Sequence, residues 1–135
     1  MAAHPARPMP MTTARLQAFA DAWNSHDVEV LMSFMADDCE FLISAGPDAC
    51  GARHAGRDAV RAAFADVFKR IRDAHWGGAR HVVDGDRGLS QWTLTGFRTD
   101  GTRVEVDGVD VFTFCDGLIT VKDSYLKTRV APKAG

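Results

Sequence analysis

The sequence predicts an α+β domain in which three helices precede a curved, mainly antiparallel sheet and cover one of its faces. Three observations point there. Apolar residues first recur at helical spacing, alternation of period two then takes over, and Asp-Gly pairs at Asp100-Gly101 and Asp116-Gly117 punctuate the alternating part as hairpin turns do.

From Thr12, the residues Leu16, Phe19, Ala20 and Trp23 form one helical stripe, which Asn24 and Ser25 interrupt. A shorter helix follows with Val28, Leu31, Met32 and Met35 inward; Asp27 and Glu29 sit near its start, where negative charge suits the helix dipole. Cys39 to Ser44 alternate as a short strand, with Cys39, Phe41 and Ile43 on one face. Ala45 to Gly56 holds three glycines and a proline, the composition of a loop with room for a small hairpin. Gly56-Arg57-Asp58 opens a third helix whose inner stripe is Val60, Phe64, Val67, Phe68 and Ile71, with Lys69, Arg70 and Arg72 toward its carboxyl end. Four strands then follow, at about Arg80 to Asp84, Leu89 to Arg98, Arg103 to Cys115 and Leu118 to Lys127.

A chain of 135 residues supplies one domain, assigned to residues 12–128, with flexible tails at 1–11 and 129–135. The hydrophobic fraction of 46% is enough for a packed core, and a formal charge of −2 lacks the basic footprint of a nucleic-acid or anionic-membrane binder. The amino terminus carries Pro5, Pro8 and Pro10 without a secretory apolar run, so a cytoplasmic protein is expected. Cys39, Cys50 and Cys115 are odd in number and form no CxxC pair, which suits reduced thiols. His4, His26, His54, His75 and His81 show no metal-binding spacing, and neither a metal nor another cofactor is expected.

The strand from Arg103 holds the sharpest chemical signal. Arg103, Glu105 and Asp107 share one face, while Asp110 stands among Val104, Val106, Phe112 and Phe114 on the other. A carboxylate so placed must be paired, hydrogen-bonded or protonated, because an isolated buried charge is costly. With Asp116 and Gly117 as a two-residue turn, Asp110 faces Asp123, and Tyr125 joins the same row. Two facing carboxyls sharing a proton would supply one acid and one base. A bulge would slip the register and bring Lys122 to Asp110 instead, an ion pair suited to binding or structure. Phe19, Trp23, Phe41 and Phe112 can form an apolar wall around Asp110, or simply core; Trp92 can take either face. Val109 and Val111 make the opposite face apolar too, so a second protomer covering it in a homodimer is expected.

The runs AWNSHDVEVLMSFMADDCEF at 22–41, GRDAVRAAF at 56–64 and GVDVFTFCDGLITVKDSY at 108–125 resemble the nuclear transport factor 2-like superfamily, and within it the SnoaL-like polyketide cyclase and ketosteroid isomerase group. This resemblance implies a cystatin-like, cone-shaped barrel, a curved sheet wrapped around helices, with an apolar pocket at one end and commonly a homodimer. It also implies acid-base chemistry without metal or nucleotide. Asp110 matches the aspartate that ketosteroid isomerases use as an oxyanion donor. Phe19 replaces their tyrosine and Ile43 stands near their general base, so steroid isomerisation is not expected. Thr95-Gly96 leads to Phe97 and Arg98 where the cyclases carry a histidine, while Asp123-Ser124-Tyr125 is loosely similar to the last strand of limonene epoxide hydrolases.

The expected function is therefore a cofactor-independent isomerase, cyclase or lyase acting on a small apolar carbonyl compound. Asp110 would be the acid or oxyanion donor, Asp123 the base and Tyr125 an auxiliary donor. The alternative is a non-catalytic ligand-binding or dimerising domain of the same fold.

Overall fold

Thr12 starts the first helix by accepting the Arg15 N–H on its hydroxyl at 3.1 Å, which satisfies one of the open donors at a helix amino end. That helix, α1 (Thr13–Ser25), ends at His26, whose left-handed backbone (φ 59°) turns the chain. Asp27 then caps α2 (Val28–Met32) by accepting from the Glu29 and Val30 N–H groups. The computed structural model describes residues 9–130. The remaining elements are β1 (Met35–Asp48), β2 (Gly51–Ala55), α3 (Arg57–Arg70), β3 (Ile71–Asp84), β4 (Arg87–Arg98), β5 (Arg103–Cys115) and β6 (Leu118–Leu126).

The strands form one sheet in the order β2-β1-β6-β5-β4-β3. Every neighbouring pair is antiparallel except β1 and β6, which run parallel. The expected α+β architecture, helices against one face of a curved sheet, is the one observed. Leu16, Phe19 and Trp23 of α1, Val60 and Phe64 of α3, and Phe112, Phe114 and Ile119 of the sheet make the main core. A second cluster of Ala74, Trp92, Leu94 and Val104 lies toward the other part of the sheet.

Four local expectations are corrected. Met35 is buried, but as the first residue of β1 rather than part of α2; Arg57 donates to the Met32 and Met35 carbonyls and fixes that connection. The first strand extends through the glycine-rich stretch to Asp48 and pairs with β2, so the loop reduces to a hairpin. The strand expected from Arg80 begins at Ile71, directly after α3. Two bulges, where Asp73 (φ 53°) and Gly78 (φ 63°) are left-handed, break its alternation and bend the sheet. The fourth correction, to the β5–β6 register, decides the site and is described there.

Residues 1–8 and 131–135, the greater part of both expected tails, lie outside the described residues, as does His4. Met11, expected in the tail, is packed into the main core. No helix among the described residues is long and apolar enough to cross a membrane.

Candidate functional site

β5 carries Asp110 inward as its alternation requires, opposite Ser90 of β4. The partner strand departs from expectation. Asp116 and Gly117, both with positive φ, form the tight turn, and Cys115 pairs with Leu118 and Phe114 with Ile119 as predicted. One step further the ladder slips, so that Thr113 pairs with Val121, Phe112 with Lys122, Val111 with Asp123 and Asp110 with Ser124. Three hydrogen bonds frame the slip. The Ile119 N–H donates to the Phe34 carbonyl at 2.9 Å, the Phe114 N–H donates to the Asp86 carbonyl at 2.8 Å, and the Thr120 hydroxyl donates to the Thr113 carbonyl at 3.1 Å.

That single extra residue flips every side chain beyond it. Lys122 and Ser124 turn inward to Asp110. Asp123 and Tyr125 turn outward, so the expected proton-sharing pair of Asp110 and Asp123 is absent and Tyr125 is no pocket donor. Tyr125 is 54% exposed and donates to Asp123 at 3.1 Å; that hydrogen bond, and secondarily the carboxylate's charge, push its phenol pKa up.

The floor of the site is a buried ion pair. Lys122 Nζ lies 2.9 Å from Asp110 Oδ1, and the two side chains are 6% and 7% exposed. Lys122 also donates to Ser124 Oγ at 2.9 Å, while the Ser124 hydroxyl donates to the same Asp110 oxygen. Trp92 Nε1 donates to Asp110 Oδ2 at 3.0 Å. Gly108 permits this last contact: a Cβ there would come within 2.5 Å of the Trp92 ring. The ammonium is further boxed by aromatic faces, 4.5 Å from the Phe41 centroid, 4.9 Å from Trp23 and 6.0 Å from Phe64. Ring quadrupoles and a hydrogen-bonded counterion together offset the loss of water around both charges.

Above this floor opens a cavity of about 750 Å³, within the usual size of small-molecule sites. Trp23, Phe41 and Trp92, three of the residues expected to contact ligand, line it with Lys122 and Ser124. Trp92 thus takes the inner face. Phe19 and Phe112 lie beneath instead, packed on each other at 6.1 Å between centroids. They border a small void of about 20 Å³ that Asp110 and Ser90 share.

Two donors of the floor and its walls are left unpaired. Two hydrogen bonds from Lys122 Nζ, to Asp110 and Ser124, leave the third N–H of the ammonium without an acceptor among the described residues. Trp23 Nε1 is buried and has no hydrogen-bond partner there either. Asp110, by contrast, already accepts from three groups, which leaves its oxygens poorly placed to take a proton from a substrate. No group of three His, Cys, Asp or Glu side chains among the described residues converges as a metal site.

A model of the SnoaL-like domain matches residues 16–122, which takes in Trp23, Phe41, Trp92, Asp110 and Lys122 but ends before Ser124. The chain belongs to the SnoaL-like domain family. No curated protein matches it by sequence. Among solved structures, a candidate polyketide cyclase from Xanthomonas campestris pv. campestris is similar at 22% identity and a TM-score of 0.73, over 84% of this chain and 87% of that one. A protein of ketosteroid isomerase-like fold from Catenulispora acidiphila, solved with trimethylamine, has 21% identity and a TM-score of 0.74 over 85% and 86% of the two chains. A nuclear transport factor 2-like protein of unknown function from Burkholderia pseudomallei has 18% identity and a TM-score of 0.73 over 85% and 89%. At these identities the likeness establishes the fold, and this SnoaL-like domain's chemistry must come from its own side chains.

Lys122 entered the sequence argument only through the bulged alternative, and Ser124 did not enter as a site residue. Neither would be inward without the extra residue at Thr120.

Proposed function

We propose that this SnoaL-like domain binds a small, largely apolar carbonyl compound, with the Lys122 ammonium as donor to the carbonyl oxygen. The observation that carries the proposal is a caged ammonium on the floor of an aromatic pocket, with one N–H unspent and the indole N–H of Trp23 unpaired nearby. The aromatic walls take the body of the ligand and the polar floor orients it. Saturation-transfer NMR with acetophenone and its hydrocarbon counterpart ethylbenzene tests this. The ketone should bind more tightly, and Lys122→Met should erase the preference. Equal binding of the two, or none of either, overturns the proposal.

A catalytic reading is favoured by the same ammonium. An ammonium on a carbonyl oxygen stabilises the oxyanion that forms when an α-proton leaves, the step on which isomerases and aldol cyclases depend. The candidate cyclase from Xanthomonas campestris shares the fold. With Asp123 outward and Asp110 fully engaged, the base would be solvent or the substrate itself, so modest turnover is expected. Exchange of the ketone's α-protons in heavy water, accelerated by the protein but not by the Lys122→Met variant, supports catalysis; exchange at the buffer rate leaves binding as the function.

A further inference from the structure

We infer that the pocket selects organic anions: molecules with an apolar body that reaches the floor and a carboxylate, sulfonate or phosphate group held at the mouth. The inference rests on the binding proposal and adds the ligand's charge.

The mouth is assembled where β4 ends, β5 begins and β6 ends, beside the carboxyl end of α3. Those termini bring Arg70, Arg98, Arg103, Lys127 and Arg129 to the pocket against one carboxylate, Glu105. The whole chain has a formal charge of −2, so this concentration is local and not a general basicity. Some of it is spent. Arg70 pairs with Asp66 at 2.8 Å, and Glu105 is shared between Arg103 at 3.5 Å and Arg129 at 3.9 Å.

Arg98 and Lys127 form no ion pair among the described residues. Asp100, in the turn after Arg98, feels that guanidinium, but its carboxylate is held first by hydrogen bonding from Thr102, at 2.9 Å to the backbone N–H. The floor contributes no net charge, because Asp110 neutralises Lys122. Uncompensated positive charge therefore sits only at the mouth. Apolar walls of low polarizability focus its field along the cavity, and a guanidinium can grip an oxyanion with two parallel N–H groups.

Two fluorescent probes that share one aromatic body test this: anilinonaphthalene sulfonate, an anion, and phenylnaphthylamine, its uncharged parent. Both should bind and displace one another, with the sulfonate tighter at low salt and losing its advantage as salt rises. The double variant Arg98→Gln/Lys127→Gln should weaken the sulfonate roughly tenfold, the scale of two exposed charge contacts, and leave the amine unchanged. Arg80→Gln, the same charge change on β3 outside the pocket, should leave both probes unchanged. If the amine binds as well as the sulfonate, or the advantage survives in the double variant, anion selection is overturned and the pocket stands. If neither probe binds, both proposals fall.

Discussion

Replacing Lys122 with Met removes one partner of a buried ion pair while keeping an apolar side chain of similar length. Breaking such a pair costs about 3–5 kcal/mol, because the remaining charge stays buried. Asp110 would still accept from Trp92 and Ser124, which places the expected loss near the lower end, about 3 kcal/mol. Asp110→Asn should cost less. It leaves the ammonium inside its aromatic box, where each ring face contributes about 0.5–2 kcal/mol. The double variant Asp110→Asn/Lys122→Met leaves no lone charge, and it should be more stable than the sum of the single losses implies by roughly 2 kcal/mol. Urea unfolding reads this out: with a slope of about 1.5 kcal/mol per molar, the Lys122→Met midpoint should fall by about 2 M. Single variants that each move the midpoint by less than about 0.5 M, with additive effects in the double, would refute the buried-pair account.

Gly108→Ala should press on the Trp92 ring and Leu126, weaken the indole bond to Asp110 and cost about 1–3 kcal/mol, visible as a changed near-ultraviolet dichroism and a lower urea midpoint; an unchanged spectrum would contradict the close packing. His81 hydrogen-bonds to Ser90 at 2.7 Å and Gln17 at 2.9 Å, and burial pushes its imidazole pKa down. The unfolded chain then binds this proton more tightly than the folded one, so its contribution to stability is present above about pH 6.5 and lost as pH falls through the lower folded value. His81→Gln should flatten that acid limb, and an unaltered limb would assign it to other groups. The outward row of Val109, Val111 and Val121 is expected to meet a second copy of the chain; light scattering that finds only the monomer mass at micromolar concentration counts against it.

Elements were legible where the determinants are local. The stripe from Leu16 to Trp23 is α1, and the alternation around Asp110 correctly put that carboxylate among aromatic side chains. The Asp116-Gly117 turn was legible for the same reason, since its backbone needs residues that tolerate positive φ. The start of β3 was hidden because its two bulges destroy the period-two pattern through Gly77 and Gly78. The β6 register was hidden for a different reason. No local period marks Thr120 as the extra residue, and β6 takes its register from β1, far away in the chain, as well as from β5. From that one residue followed the exchange of Asp123 for Lys122 beside Asp110, and with it the change from a shared-proton pair to an ion pair.

Lysine-selective NMR of the Lys122 side chain tests the central claim most directly. The structure predicts ε-methylene and ammonium signals shifted upfield by the Phe41 and Trp23 rings, ammonium protons protected from solvent by burial against Asp110, and a further shift when acetophenone is added. Signals at the positions of a freely solvated lysine, rapid ammonium exchange, and no response to the ketone would contradict it.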